Sequence, residues 1–565
     1  MRHHRINLVI LFVFLFAAAI ISRLIFLQII QHDLYSALAK GQQIIFKNYQ
    51  GDRGKIFFQN HDLPIATNKT SPFLYLSPNE IPAEEKENTS QVLAGLLNLD
   101  QDFILEKTQQ DNLFALVKDK LSDQEVASVQ EADLAGVHLG EEKLRSYPYE
   151  DFAAHLLGFV NKEGEGQYGV EEYWDEALRG EEGFLQGEWG PLGYLFFSER
   201  DPSLNQGADL FLTIDYNIQY AAEKLLKKAR ENLNIEGGQI VVVEPSSGKI
   251  LALANFPTFN LNGYAKEKDF EVFQNGVTQK AFEPGSVFKS ITMAAALDEG
   301  KITSQTTYFD PGCYQVGVDE VCNYEKRIYP GELTMTNVLE KSINTGAVFA
   351  ERELGNKNFL EYVEKFGIFS KTGVDLPWEI SPPNKEFKQG REINYATASF
   401  GQGIEMTPLQ LIRAFCAIAN GGKLVKPYLV EKIVKNGEET MIEPEVTDDD
   451  VISPGTSSKI TAMLVSVVGS AYTKAAQIPG YYVAGKTGTA QISYAALGMD
   501  KKGYSEKTWQ SFIGFAPAFN PKFLIMVKLN NPATRTAEYS AVPIFQELAK
   551  YIIDYYQIPP DHEPR

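Results

Sequence analysis

Ser286 and Lys289 stand three residues apart in AFEPGSVFKS (281–290), between a Pro284-Gly285 turn and the apolar run ITMAAALDEG. At the start of a helix, a serine and a lysine so spaced share one face. The helix N-terminus adds unpaired N–H groups and positive potential, which favour an alkoxide or an oxyanion. A serine oxygen in that setting could carry developing negative charge, with a lysine within reach of it. A capping serine followed by a surface lysine would write the same letters. The S-x-x-K spacing also recurs at Ser246 and Lys249, where PSSGK separates two β-rich runs and reads as a hairpin turn.

Two further motifs single out Ser286. Ser342-Ile343-Asn344 gives S-x-N downstream of it, at the head of another helical run. The same triplet at Ser77–Asn79 and Ser203–Asn205 precedes Ser286 and carries no such order. K-T-G occurs twice. Lys371-Thr372-Gly373 follows the helical FLEYVEKFGIF and reads as a C-terminal cap and turn. Lys486-Thr487-Gly488 lies in the strand-like YYVAGKTGTAQI, where a strand edge can offer amides and a row of side chains. The candidate set is therefore Ser286, Lys289, Ser342, Asn344 and Lys486, flanked by Thr487, Gly488 and Thr489. Between residues 156 and 561 there is no histidine, so chemistry there uses neither a Ser-His-Asp triad nor a histidine metal site.

These residues need a frame to hold them. From about residue 209 the pattern reads strand (DLFLTI) and then an amphipathic helix with Ile218, Ala222, Leu225, Leu226 and Ala229 on one side. A hairpin around Pro245–Gly248 follows, then a long helical region from about 284 to 420. Three strands come next (YYVAGKTGTAQI, WQSFIGFAP and FLIMVKLNNP), and last a helix, VPIFQELAKYIIDYY. That order predicts an α+β fold: one antiparallel sheet carrying a helix from each end of the domain, plus an inserted helical subdomain. Upstream, QHDLYSALAKGQQ reads as a helical stalk, GDRGKIFFQNHDLPIATNKTSPFLYLSP as strands and turns, and 80–135 as polar and helical. A boundary falls near 198–210.

A chain of 565 residues calls for two or three folded units. A net charge of −20 argues against nucleic acid as a partner. The N-terminus pairs Arg2 and Arg5 with an apolar run from Ile6 onward, about the 20 residues that span a bilayer core. It reads as a membrane anchor with its basic end inside. The rival is a cleavable signal peptide with Ala17–Ala19 as the small-residue site, but the apolar pattern resumes past Arg23 as LIFLQII. Of three cysteines, Cys313 and Cys322 share one loop-like segment, either as a local disulfide or as two thiols.

The ordered set S-x-x-K, S-x-N, K-T-G is that of penicillin-binding proteins and class A β-lactamases. The chain resembles a class B penicillin-binding protein over nearly its whole length. RGKIF (53–57), RSYPY (145–149), GQYGVEEYWDEALRG (166–180) and LTIDYNIQ (212–219) resemble family motifs, in family order. So do SFGQGIEMTPLQL (399–411), IANGG (418–422) and GFAPAFNP (514–521). The resemblance implies a penicillin-binding/serine β-lactamase-like transpeptidase domain over 206–560. It also implies a cytoplasmic tail (1–5), a transmembrane anchor (6–28) and an elongated mixed α/β pedestal, or dimerisation-type, domain (29–205).

The activity implied is D,D-transpeptidation of peptidoglycan stem peptides ending in D-Ala-D-Ala, with β-lactams as mimics. Ser286 would be the nucleophile, Lys289 its base and Ser342 the proton relay. Asn344 would position Lys289 and the stem. Lys486, Thr487 and Thr489 would hold the terminal carboxylate, with Gly488 in the same substrate-binding group. The N–H groups of Ser286 and Thr489 would form the oxyanion hole. No metal or organic cofactor is implied. The catalytic domain would lie outside a single-pass plasma-membrane anchor, beside a SEDS-family glycosyltransferase and division proteins. KSINTGAVFAERELG and SFGQGIEMTPLQL resemble the septal, division-specific type more than the elongation type. A serine β-lactamase shares the motifs but has no need of an anchor and pedestal, and a penicillin-sensing receptor would call for further membrane segments.

Overall fold

The computed structural model describes residues 2–26, 29, 44–59, 62–189, 195–197 and 206–563. The chain divides into two compact units, residues 1–54 with 179–208, and residues 55–178 with 209–565. The expected stalk lies outside the described residues.

In the first unit the helix Arg2–Ile25 contains an apolar span, Leu8–Ile25, long enough to cross a membrane. Its side chains are exposed, Phe12 and Phe14 among them. Arg23, the cation within it, lies against the Phe26 ring. A three-stranded antiparallel sheet of Ile44–Gln50, Glu182–Trp189 and Leu195–Phe197 belongs to the same unit.

The second unit holds two large sheets. One has seven strands and includes Ile56–Gln59, Pro64–Leu76, Val137–Ser146, Asp209–Asp215 and Val430–Lys435. The DLFLTI strand sits here, parallel to Ile56–Gln59 and antiparallel to Val430–Lys435. It is not a strand of the catalytic sheet. The 80–135 segment, expected to be helical throughout, folds as three helices interrupted by the strand Ala115–Lys118. In that strand Ala115 and Val117 are buried and Leu116 is exposed, a two-residue alternation too short to stand out in the sequence.

The second sheet positions the chemistry. Helix α1 (Tyr216–Leu233) leads into the hairpin β1 (Gly237–Val243) and β2 (Ile250–Phe256). Later come α2 (Lys289–Asp298), α3 (Met335–Glu340) and α4 (Asn344–Leu354). The strands β3 (Ala484–Ser493), β4 (Tyr504–Ala516) and β5 (Phe523–Asn530) and helix α5 (Ala541–Tyr555) finish the unit. The strand order is β2-β1-β5-β4-β3, antiparallel throughout.

Asp215 caps α1 through the amides of Asn217 and Ile218. The expected stripe of α1 is buried together with Phe545 and Leu548 of α5 on one face of the sheet. Gln219 of α1 exchanges two hydrogen bonds with Leu253 of β2, at 2.7 and 3.0 Å. An edge strand thereby finds partners for backbone groups that the ladder leaves open. On the other face lie α2 and the wholly buried helix Pro408–Ala419, capped by Thr407 through a capping box. The two polar side chains of that helix, Gln410 and Arg413, are buried as well and find backbone carbonyls of residues 367–371 as acceptors.

The region 284–420 is not helical throughout. It includes the hairpin Cys313–Val316/Asp319–Cys322 and a second strand pair, Thr307–Phe309 with Glu332–Thr334. These strands are three or four residues long, too short for an alternation to show against the flanking helices. The two hairpin cysteines, left open by the sequence, are joined as a disulfide.

Candidate active site

Ser286 lies in a turn of 3-10 helix, Gly285–Phe288, that runs straight into α2. Lys289 is the first α-helical residue, wholly buried, while Ser286 is half-exposed on the cleft wall. Ser342 ends the turn after α3 with φ at +53°, a left-handed conformation that costs a non-glycine residue on the order of 1 kcal/mol. Asn344 opens α4. Lys486 sits on β3, which forms the cleft-side edge of the sheet.

These four elements bring their side chains to one point. Lys289 Nζ lies 3.2 Å from Ser342 Oγ, 2.6 Å from Ser342 O and 2.8 Å from Asn344 Oδ1. Lys486 Nζ reaches the same Ser342 Oγ at 3.1 Å and the Thr487 carbonyl at 3.2 Å. Asn344 Nδ2 donates to the carbonyl of Cys322 at 3.0 Å, so the disulfide hairpin holds the amide. Ser286, Ser342, Asn344, Thr487 and Thr489 line one cleft of about 970 Å³. Across it, Arg535 pairs with Glu325.

Two buried ammonium groups share a hydroxyl here, and both titrate low. Burial, reinforced by the charge on Lys486, holds Lys289 well below the ordinary lysine value. Burial brings Lys486 down to about 8, against a pull upward from Glu538. The consequence is that Lys289 gives up its proton more readily than a solvated lysine does.

Gly488, which the resemblance groups with the substrate-binding residues, lies on β3 against the nucleophile turn. A Cβ there would lie 2.7 Å from the Pro284 carbonyl oxygen and 2.9 Å from Val287 Cγ2. The glycine of K-T-G thus lets β3 press against the nucleophile turn. Gly401, at φ +81°, does the same from SFGQG: a Cβ there would meet the Gly285 carbonyl oxygen at 2.1 Å. The amide of Gly285 donates to Gly401 O at 3.0 Å. This loop behind the nucleophile was visible in the sequence only as a glycine-rich family motif.

The duplicate motifs lie elsewhere. Ser246 is exposed in the β1–β2 turn. Thr372 and the Gly373 amide are tied to the Glu379 carboxylate, and Lys371 is exposed. Glu283, which the sequence leaves free to reach the S-x-x-K turn, instead accepts from the Gly403 amide at 3.2 Å and from the Tyr504 hydroxyl at 3.1 Å. Burial raises its carboxyl to about 7. A carboxyl raised by folding binds its proton more tightly in the native state. Its stabilising contribution is complete below about pH 4.5 and is lost as pH rises through 7. We expect Glu283→Gln to lose on the order of 2 kcal/mol less stability than wild type between pH 5 and 8, as read by thermal midpoints.

Two depressed lysines meeting on the Ser342 hydroxyl, beside a second serine at a helix start and against the edge of an antiparallel sheet, are the equipment of a serine acyltransferase of the penicillin-interacting kind. The family model for the penicillin-binding protein transpeptidase domain matches residues 238–550, and that for the penicillin-binding protein dimerisation domain matches 48–212. Stage V sporulation protein D of Bacillus subtilis is 31% identical over 537 residues, covering 92% of this chain and 81% of that protein. Penicillin-binding protein PbpB of Mycobacterium tuberculosis is 29% identical over 597 residues, covering 100% of this chain and 86% of that one. The crystal structure of M. tuberculosis penicillin-binding protein 3 complexed with aztreonam gives a TM-score of 0.69 at 25% identity, over 92% of this chain and 100% of that one. Penicillin-binding protein 2X from Streptococcus thermophilus shares the fold, with a TM-score of 0.73 over 92% of this chain and 83% of that one. The chain belongs to the class B penicillin-binding proteins and is a serine-type peptidoglycan D,D-transpeptidase.

Proposed function

We propose that Ser286 is the nucleophile of this transpeptidase and Lys289 its general base. The observation that carries the reading is the meeting of Lys289 and Lys486 on Ser342 Oγ, in the cleft that Ser286 lines. As a neutral amine, Lys289 keeps two N–H donations and has a lone pair for the Ser286 proton. Ser286 Oγ attacks the carbonyl between the two terminal D-Ala residues, and its proton passes to Lys289. The amides of Ser286 and Thr489 receive the oxyanion. Ser342 Oγ, bonded to both lysines, relays a proton to the departing D-Ala amine. Lys486, Thr487 and Thr489 take the terminal carboxylate. An amine from a neighbouring stem then attacks the acyl-enzyme and forms the cross-link. A β-lactam mimics the D-Ala-D-Ala end and acylates Ser286.

The domain limits that go with this reading are a tail over 1–5, a membrane helix over 6–28, a pedestal over 29–205 and a transpeptidase domain over 206–560. The N-terminal apolar helix is a candidate membrane anchor. Arg2 and Arg5 at its start favour a cytoplasmic N-terminus of a single-pass plasma-membrane protein, with the catalytic domain outside. We assign the enzyme to septal wall synthesis during division, alongside a SEDS-family glycosyltransferase and division proteins. A fluorescent fusion concentrating at midcell is the expected result; a sidewall distribution would give the elongation role instead.

Incubation with stem peptides should yield cross-linked dimers and released D-Ala, and bound penicillin should be retained rather than turned over. Rapid hydrolysis of penicillin without dimer formation would overturn the transpeptidase reading. The two K-T-G motifs give a sharper test. Lys486→Ala should lose a charge-assisted contact with the substrate carboxylate, roughly 1.5–3 kcal/mol or about 10- to 100-fold in acylation rate. Lys371→Ala, at an exposed loop lysine, should change that rate less than about twofold.

A further inference from the structure

Helix α4 begins without a cap of its own. Its N-cap residue, Ile343, is apolar and makes no side-chain capping bond. Yet the first amides of a helix need acceptors from somewhere. The Thr345 amide donates to Asn323 Oδ1 at 3.0 Å, a side chain from just beyond the disulfide hairpin. The Thr345 hydroxyl lies 2.6 Å from Asp310 Oδ1 and 3.1 Å from Asn323 Oδ1. Asn323 Nδ2 meets both Asp310 oxygens at 2.9 Å, and Asp310 also accepts from the amides of Gly312 and Tyr329. Asp310, Asn323 and Thr345 are 9%, 4% and 0% exposed. Such a closed polar cluster inside a protein is rigid when every member is satisfied.

We propose that Asp310, Asn323 and Thr345 are positioning residues for catalysis: a cap supplied from an earlier segment of the same chain that fixes where Asn344, and through it Lys289, stands relative to Ser286. The inference rests on the general-base role proposed above for Lys289.

Asn344 is held from two sides by one short segment. Its Nδ2 donates to the Cys322 carbonyl, and the next residue of that segment, Asn323, caps the amide of the residue after Asn344. Its Oδ1 then meets Lys289 Nζ at 2.8 Å. Proton transfer from a serine to a lysine tolerates little misplacement, and an ångström lost at the support is felt at the reacting pair. The charged neighbour of Lys289 is Lys486 on β3. Around Asp310 stand Tyr308, Tyr314 and Tyr329, whose hydroxyls burial pushes upward, so none of them gains charge across the neutral range. Arg327 and Arg352 face Tyr329 and Tyr314.

The test compares Thr345→Val, which keeps the side chain's shape but removes its hydroxyl, with Thr345→Ser, which restores it, and with Asn323→Ala. For each, the acylation rate by benzylpenicillin is measured from pH 5 to 10, with thermal midpoints in parallel. We expect Thr345→Val to lower the plateau rate about 5- to 20-fold and Asn323→Ala about 10- to 100-fold. Both should move the acid limb to lower pH, because Lys289 loses in Asn344 Oδ1 an acceptor that favours its charged form. Thr345→Ser should return rate and limb toward wild type. If Asn323→Ala does not fold, Thr345→Val decides alone. A Thr345→Val protein with an unmoved limb overturns the inference, whether or not its thermal midpoint falls, because the cap would then serve stability only. Ser286→Ala is labelled in parallel with fluorescent penicillin. Labelling that persists there overturns the nucleophile and base assignments and this inference with them, whereas labelling lost there beside an unmoved Thr345→Val overturns the inference alone.

Discussion

Ser286→Ala should abolish covalent labelling by fluorescent penicillin, while the protein stays folded and in the membrane fraction. The expected loss is complete rather than partial, because the acyl bond is assigned to Ser286 Oγ, while Ser342 Oγ in the same cleft is assigned only a proton relay. Ser246, the other serine with a lysine three residues on, is exposed in a hairpin turn of the same sheet. Ser246→Ala should therefore label as wild type does. Truncating Ser286 is mild for the fold, since its half-exposed side chain lines a cleft and fills no core. Labelling that survived in Ser286→Ala would place the nucleophile elsewhere.

Lys289→Arg should be nearly inactive, with acylation down by about three orders of magnitude or more, the upper range for loss of a general base. A guanidinium keeps the positive charge and can donate to Ser342 and Asn344, but it does not release a proton. The pH profile gives the matching positive result. With Lys289 held well below the ordinary lysine value by burial and by the charge on Lys486, acylation should rise on an acid limb that lies below the range of a solvated lysine. With Lys486 near 8, carboxylate capture should weaken as pH passes that value, so the profile should turn down on its alkaline side. The measurement is the acylation rate of both proteins from pH 5 to 10. Near wild-type rates in Lys289→Arg would show that this position acts only as a fixed charge.

The chemistry was more legible in the sequence than the architecture that delivers it. Ser286, Lys289, Ser342, Asn344 and Lys486 could be chosen over Ser246 and Lys371 because their order and local setting differed. Strand and helix signals for β3, β4, β5, α1 and α5 were strong, each being a long run with a single periodicity. Two kinds of fact stayed hidden. One is pairing across distance: nothing in DLFLTI says that it pairs with Ile56–Gln59 and Val430–Lys435. The other is the direction of a side chain. Glu283 is three residues from the nucleophile and points to Gly403 and Tyr504, while Asn323 is far off in sequence and caps the helix that begins at Asn344. Spacing constrains neighbours along a helix or strand, but it says nothing of a loop that returns from another part of the chain.

The order of strands in the catalytic sheet has a consequence for the life of the chain on the ribosome. β5 is the middle strand, and it joins β1 to β4, with Val243 opposite Leu524 and Phe515 opposite the same Leu524. Every motif residue is synthesised before it. Until Phe523–Asn530 emerges, the β1–β2 hairpin and the β3–β4 hairpin lack the strand that pairs with both, and each keeps an open edge. A nascent chain that has passed Thr489 thus carries every motif residue before its sheet can close. The sheet that carries Lys486 can be completed only once Phe523–Asn530 has been made.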